Sequence, residues 1–173
     1  MREIQLPLEK SLVKELTVGE ELRLNGTIYV GRDQAHQRLT RLIENSEALP
    51  FELKGNIIYY MGPSPTPEGR VIGSAGPTTA GRMDPFTPAL LDRGLTAMIG
   101  KGNRNQSVYD AIIRNGAVFL YAFGGCGALY SDKITSSEVL AFDDLGPEAI
   151  YKLKVKDFPV LVAIDCRGNN IFK

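Results

Sequence analysis

The sequence is poor in the residues from which metal and redox sites are usually built. It holds two cysteines and one histidine in 173 residues. Cys126 and Cys166 stand far apart and form no C-x-x-C pair. Structural zinc takes about four ligands, so neither supports a self-contained zinc site. A lone buried thiol is the plainer reading of each. Net charge is missing too, since 20 basic and 20 acidic residues cancel. Such a chain has no polyelectrolyte character, which argues against nucleic acid or an anionic membrane as its main partner. Any anion site must be a local gathering of Arg and Lys. Long hydrophobic runs are absent: the longest, FPVLVAID (158–165), is far too short to span a bilayer. The opening MREIQLPLEK has no apolar signal region, which makes the cytoplasm the expected compartment. No internal repeat or low-complexity stretch interrupts the chain.

What remains reads as one folded unit over residues 1–173, long enough for a real core. IQLPL (4–8) and ELRLNGTIYVGRD (21–33) have strand character. Asn25-Gly26 is a tight-turn pair and predicts a hairpin between 21–24 and 27–30. Apolar or small residues at 35, 39, 42 and 43 follow helical spacing, with Asp33 placed to cap. NIIYYMG (56–62) predicts a buried strand, PSPTPEG (63–69) a loop and RVIGSAG (70–76) another short strand. DPFTPALLDRG (84–94) predicts a helix capped by Asp84, with Pro85 in its first turn. TAMIGKGN (96–103), a strand running into a glycine turn, and the strand AVFLYAFGG (117–125) flank a helix over 105–116 that closes on Gly116. The remainder predicts a strand, a short helix and a pair of strands around Gly168-Asn169. Strands alternating with helices favour an α/β layered domain with a partly parallel sheet. The strand-rich start suggests a second small sheet.

Three loops share one design, in which a strand ends, a glycine turn follows and a cation is presented near a helix start. They are VGRDQAHQR (30–38) with Arg32, GPTTAGRMDP (76–85) with Arg82, and IGKGNRNQ (99–106) with Lys101. In one parallel sheet they would converge at its carboxyl edge, where ligands of open α/β sheets bind. Two guanidinium forks and an ammonium suit two carboxylates, or a phosphate. Thr78 and Thr79 are either turn hydroxyls or substrate-facing ones. His36 lies one turn beyond Arg32 and Asp33, placed either to pack or to hold them. Arg104 reads as a rim charge. YAFGGCGAL (121–129) lacks the Walker and Rossmann spacings, so a nucleotide reading is weak.

GRDQAHQR, GPTTAGRMDPF and GKGN, in this order and spacing, resemble the β subunit of class I fumarase. The pattern is similar to that of the L-tartrate dehydratase β subunit, and the likeness covers about residues 4–172. It implies a swivelling β/β/α domain, with a mixed sheet and helices in three layers. It implies reversible hydration of fumarate to (S)-malate, or the same chemistry on tartrate or mesaconate. It also implies a [4Fe–4S] cluster whose open iron acts as a Lewis acid on the substrate, held by three cysteines of a partner α subunit. No metal is then expected on this chain, and Cys126 is left as structure. Carried over residue by residue, Arg32, Arg82 and Lys101 match substrate-carboxylate contacts. Thr78 matches a threonine proposed as the proton-abstracting base, while Asp33, His36 and Thr79 are expected to support the pocket. The alternative of another class is a stand-alone dicarboxylate-binding module without catalysis. Self-association of a free chain, through the surface meant for α, is compatible with the main reading.

Overall fold

Strands that are apolar at every position must be covered on both faces, and this chain covers them with two separate cores. In the computed structural model, which describes residues 1–172, Ile57, Tyr59 and Met61 face one core while Ile58 and Tyr60 face the other. The same alternation separates Ala97 and Ile99 from Met98, and Val118 and Leu120 from Phe119. Period-two geometry forces this split. Each of the Ile, Val, Leu, Met and Phe side chains among them, taken fully from water, contributes about 1.5–3 kcal/mol.

The strands are β1 (Arg2–Gln5), β2 (Glu21–Val30), β3 (Ile57–Tyr59), β4 (Ala97–Gly100), β5 (Val118–Tyr121), β6 (Ile134–Ala141) and β7 (Ile150–Ile164). The helices are α1 (Lys10–Glu15), α2 (Asp33–Glu44), α3 (Thr87–Asp92), α4 (Gln106–Asn115) and α5 (Gly127–Asp132). The sheet runs β1-β2-β3-β4-β5-β7-β6, with β1 to β5 parallel and β7 antiparallel to its neighbours. β7 also pairs with β2, so the sheet folds back on itself. Its inner face forms the strand–strand core, closed by Val13 and Leu16 around α1 and by Tyr130 of α5. Its outer face carries α2, α3 and α4, which supply Leu39, Leu90, Leu91, Val108 and Ile112 to the second core. This is the mixed α/β arrangement expected, in β/β/α layers.

Several local expectations are corrected. Residues 21–30 form one strand, with no hairpin. Asn25-Gly26 marks a register shift against β7: Gly26 has φ +129, and a Cβ there would lie 2.9 Å from that of Leu6. Asn25 is meanwhile used as an acceptor for the Asp157 amide (3.0 Å). Among the described residues there is no second small sheet; β1 and β2 belong to the one sheet. Residues 70–76 hold no strand. Only a turn and an isolated bridge, Ile164 to Asn170, stand where a terminal strand pair was expected, because β7 runs 15 residues without a break. Helices α1 and α5, each of 6 residues, are too short to show a period and were not foreseen. Helix α4 matches its sequence signals: the Asn105 side chain accepts from the Val108 amide, and Gly116 closes it at φ 62. Lys173, the last residue of the expected unit, lies outside the described residues.

Candidate functional site: a cationic edge

The parallel strands bring the three loops to one edge. β2 runs into Gly31-Arg32-Asp33, β3 into Tyr60-Met61-Gly62 and β4 into Lys101-Gly102-Asn103. The segment GPTTAGRMD returns between the last two. The Thr78 amide donates to the Tyr60 carbonyl (2.8 Å), Lys101 N–H to the Thr78 carbonyl (3.3 Å) and Ala80 N–H to the Lys101 carbonyl (2.8 Å). Thr79 and Lys101 form a parallel bridge. Residues 78–80 are therefore a strand fragment wedged between the ends of β3 and β4. Gly100 permits the wedge, since a Cβ there would sit 2.8 Å from Tyr60 Cδ2 and 3.2 Å from Ala80 Cβ.

A 3-10 turn, Ala80–Met83, follows. It buries Met83 and turns Arg82 outward, where its Nε and Nη2 both donate to Asp33 Oδ2 (3.2 and 3.0 Å). The Arg82 side chain is 49% exposed, and its donors on the edge away from Asp33 make no hydrogen bond among the described residues. Arg32 lies against Gly62, where any side chain would collide with its guanidinium. Its Nε is buried and unpartnered, and so is Asp33 Oδ1. The Lys101 ammonium passes over Gly124, whose added Cβ would lie 3.5 Å from Nζ. Among the described residues, Arg32 and Lys101 form no ion pair and the Thr78 hydroxyl makes no hydrogen bond. Thr78 is half-buried and Thr79 exposed.

Beneath this edge lies a polar layer that the sequence did not reveal. Arg104 is no rim charge: its side chain is 0% exposed. Its Nε donates to Asp84 Oδ1 (2.7 Å) and its Nη2 to Thr87 Oγ1 (2.9 Å) and Tyr60 Oη (3.2 Å). Its Cζ lies 5.2 Å from the Tyr60 ring centroid and 4.8 Å from that of Phe119. Asp84 is thereby withdrawn from capping; Phe86 stands at the start of α3, which begins at Thr87 and not at Pro85. Asp33 caps nothing either, because Arg32 occupies the cap of α2 and Asp33 its first turn. The charge at 33 and 84 is spent on arginines.

His36 is wholly buried, 5.4 Å from the Tyr60 ring and edge-on to it. Its Nδ1 lies 2.7 Å from the Arg32 carbonyl, which can only accept, so Nδ1 carries the proton. Burial, aided by the positive Arg104, lowers its pKa to about 4 against the pull of the Arg32 carbonyl and Asp33. The ring is neutral at pH 7. Within YAFGGCGAL the glycines differ: Gly127 packs closely against Ser74 and Gly76, while Gly125 takes a left-handed φ of +77 with open space around it. The structure thus gathers Arg32, Asp33, His36, Thr78, Thr79, Arg82 and Lys101 around one edge. A surface hollow of about 260 Å³, lined by Lys10, Asp92, Arg93 and Thr96, opens at the opposite, amino ends of β4 and β5.

Cys126, after β5, and Cys166, after β7, are both free and half-buried against the inner core. Among the described residues no three His, Cys, Asp or Glu side chains gather as around a metal ion. This chain's own donors do not fit an iron–sulfur cluster. Across residues 1–173 the chain matches the family model described as "Fumarase C-terminus".

The chain belongs to the fumarase C-terminus family.

Its relatives divide by length. It is 42% identical over 175 residues to "Fumarate hydratase class I, aerobic" of Escherichia coli (strain K12), covering 99% of this chain and 32% of that protein. It is 39% identical to "Fumarate hydratase 2" of Leishmania major, covering 98% of this chain and 31% of that one. The chain spans about a third of the fumarate hydratases it matches. By contrast, it is 37% identical to a "Putative L(+)-tartrate dehydratase subunit beta" of Methanocaldococcus jannaschii, covering 96% of this chain and 88% of that protein. For a member of this family, Tyr60, Asp84, Thr87 and Arg104 are the residues that sequence reading missed or misassigned. Only one local signal was available, the closeness of Arg104 to Lys101.

Proposed function

We propose that this chain, acting as one unit over residues 1–173, is the β subunit of a hydro-lyase that reversibly hydrates fumarate to (S)-malate. It supplies the cationic half of the site, and a separate α subunit in the cytoplasm supplies the remainder. A [4Fe–4S] cluster belongs in this reading to the α subunit, and no step here is assigned to it. The observation that carries the reading is the meeting of Arg32, Arg82 and Lys101 at one strand edge with the unpartnered hydroxyl of Thr78.

The chemistry follows from the substrate. In the dehydration direction a proton beside a carboxylate must leave, and that proton is only weakly acidic. Its loss places a second negative charge on the carboxylate as an aci-anion. Cations that grip this group more strongly as its charge grows lower the barrier, because they act on the transition state more than on the ground state. Arg82 and Lys101 take this role, and Arg32 holds the other carboxylate. Thr78, pinned by its backbone between β3 and β4, is the candidate base, its hydroxyl made more acidic by the neighbouring cations.

The tartrate dehydratase relative, matched over most of its own length, favours a second reading in which the substrate carries one more hydroxyl. Anaerobic assembly with an α subunit, with iron and sulfide supplied, tests both. The assembled enzyme is expected to hydrate fumarate, and the Arg82→Ala variant to lose roughly 10²–10³-fold in rate, as enzymes do when a preorganised donor is removed. Near-normal turnover by that variant would remove Arg82 from the mechanism. Turnover of tartrate and not fumarate would select the second reading.

A further inference from the structure

Each loop of the clamp is anchored in the polar layer beneath it. The Tyr60 carbonyl holds the Thr78 amide (2.8 Å), and the Tyr60 hydroxyl accepts from Arg104. Asp84, two residues beyond Arg82, accepts from Arg104 Nε (2.7 Å) and from the Asn105 amide (2.8 Å). Thr87 accepts from Arg104 and donates to the Met83 carbonyl (2.8 Å), closing the turn that carries Arg82. Arg104 itself lies three residues beyond Lys101. One planar guanidinium, 5.2 Å from the Tyr60 ring centroid and 4.8 Å from that of Phe119, therefore bonds directly to Asp84 on the segment bearing Thr78 and Arg82, to Thr87 behind it and to the Tyr60 hydroxyl, and is tied to Lys101 through the backbone.

A fully buried ion pair is a poor source of net stability, because desolvation offsets most of its Coulomb gain and apolar residues of equal volume often do as well. A planar fork with fixed donor directions contributes geometry instead. We infer that Arg104 is a positioning residue: through Asp84, Thr87 and Tyr60 it sets the spacing between Thr78, Arg82 and Lys101. His36 extends the layer to the first loop, with its Nδ1–H on the Arg32 carbonyl and its ring edge on Tyr60. The inference rests on the clamp reading above for its meaning in catalysis, and on the hydrogen bonds alone for its structural claim.

Backbone amide exchange in this chain, read residue by residue by NMR, separates positioning from plain stability. Arg104→Lys keeps the charge and loses the fork. The amides of Thr78, Ala80, Lys101 and Asn105 are expected to exchange at least tenfold faster, beyond any change in the β2–β7 ladder. Uniform acceleration of all slow amides, or unchanged protection at these four, would overturn the inference. Tyr60→Phe removes one hydroxyl at nearly constant volume. It serves where the lysine variant does not fold, with the same selective pattern expected at about threefold or more. In the enzyme assembled with its α subunit, Arg104→Lys is expected to lower kcat/KM at least tenfold. Parental kcat/KM would remove Arg104 from the positioning role. An assembled parent inactive on every dicarboxylate would overturn the proposed function, while the exchange pattern would still decide the structural claim.

Discussion

Arg82 uses only one edge of its guanidinium on Asp33, and that division shows how single residues are set up here. The carboxylate fixes the direction of the fork, and the free edge faces outward. His36 does comparable work on Arg32 from below, and it carries a pH signature. Buried and facing Arg104, its folded pKa of about 4 stands below the 6.5 of an ordinary imidazole. An unfolded chain therefore binds a proton that the folded chain refuses between those two values. Stability is full above about pH 6.5 and falls as pH drops toward 4, by about 3 kcal/mol in all. Urea unfolding of the parent is expected to lose about 2–3 kcal/mol between pH 7 and pH 4.5, and His36→Gln to lose far less over that window. Equal slopes for the two proteins would exclude His36 as the cause. Below about pH 4, the depressed carboxyl of Asp165 adds a further loss. Burial would raise that group, but hydrogen bonds from Asn169 and from the Val18 and Arg167 amides outweigh it. At this scale the sequence was readable where a residue's position follows from its own loop, as for Arg32, Thr78, Arg82 and Lys101, which meet at one strand edge. Arg104 was misread because its burial depends on Asp84 and Tyr60, 20 and 44 positions away.

Among the elements, the strand fragment at residues 78–80 matters most. It has no apolar pattern to announce it and exists only because β3 and β4 leave a slot between their carboxyl ends. Helices α2 and α4 could be read from the sequence because each presents an apolar stripe over several turns. The fragment, like the bulge at Asn25-Gly26, is dictated by partners distant in sequence, so composition misleads there. Gly100 tests the slot directly. Alanine at this position would drive a methyl into Tyr60 Cδ2 at 2.8 Å and Ala80 Cβ at 3.2 Å. Overpacking of this kind typically destabilises by about 1–3 kcal/mol. The Gly100→Ala chain is expected to unfold at lower urea by that amount, and the assembled enzyme to lose activity well beyond its loss of stability. An unchanged midpoint with full activity would mean that the fragment is not wedged as described.

For the whole molecule, the balance of 20 basic and 20 acidic residues conceals an uneven distribution. Among the described residues Arg32 and Lys101 lack acidic partners, and they stand half-buried beside the more exposed Arg82 at one sheet edge. An open edge of this kind attracts dianions but holds them weakly, because solvent-exposed charge pairs contribute about 0.2–1 kcal/mol each and are screened by salt. Covering the edge with a partner surface would lower the local dielectric and strengthen the same contacts several-fold. The chain alone is therefore expected to bind succinate, an unreactive analogue of the proposed substrate, with a Kd of about 1 mM or weaker. NMR titration should move the amides around Arg32, Thr78, Arg82 and Lys101. Propionate, with a single carboxylate, should move them less. Raising ionic strength from about 0.01 M to about 0.15 M shortens the screening length from about 30 Å to about 8 Å and should weaken succinate binding several-fold. Shifts concentrated instead in the hollow at the amino ends of β4 and β5, around Lys10 and Arg93, would place the anion site at the wrong edge of the sheet. Tight, salt-independent binding would show that the chain closes a site without a partner, and the half-site reading would then fail.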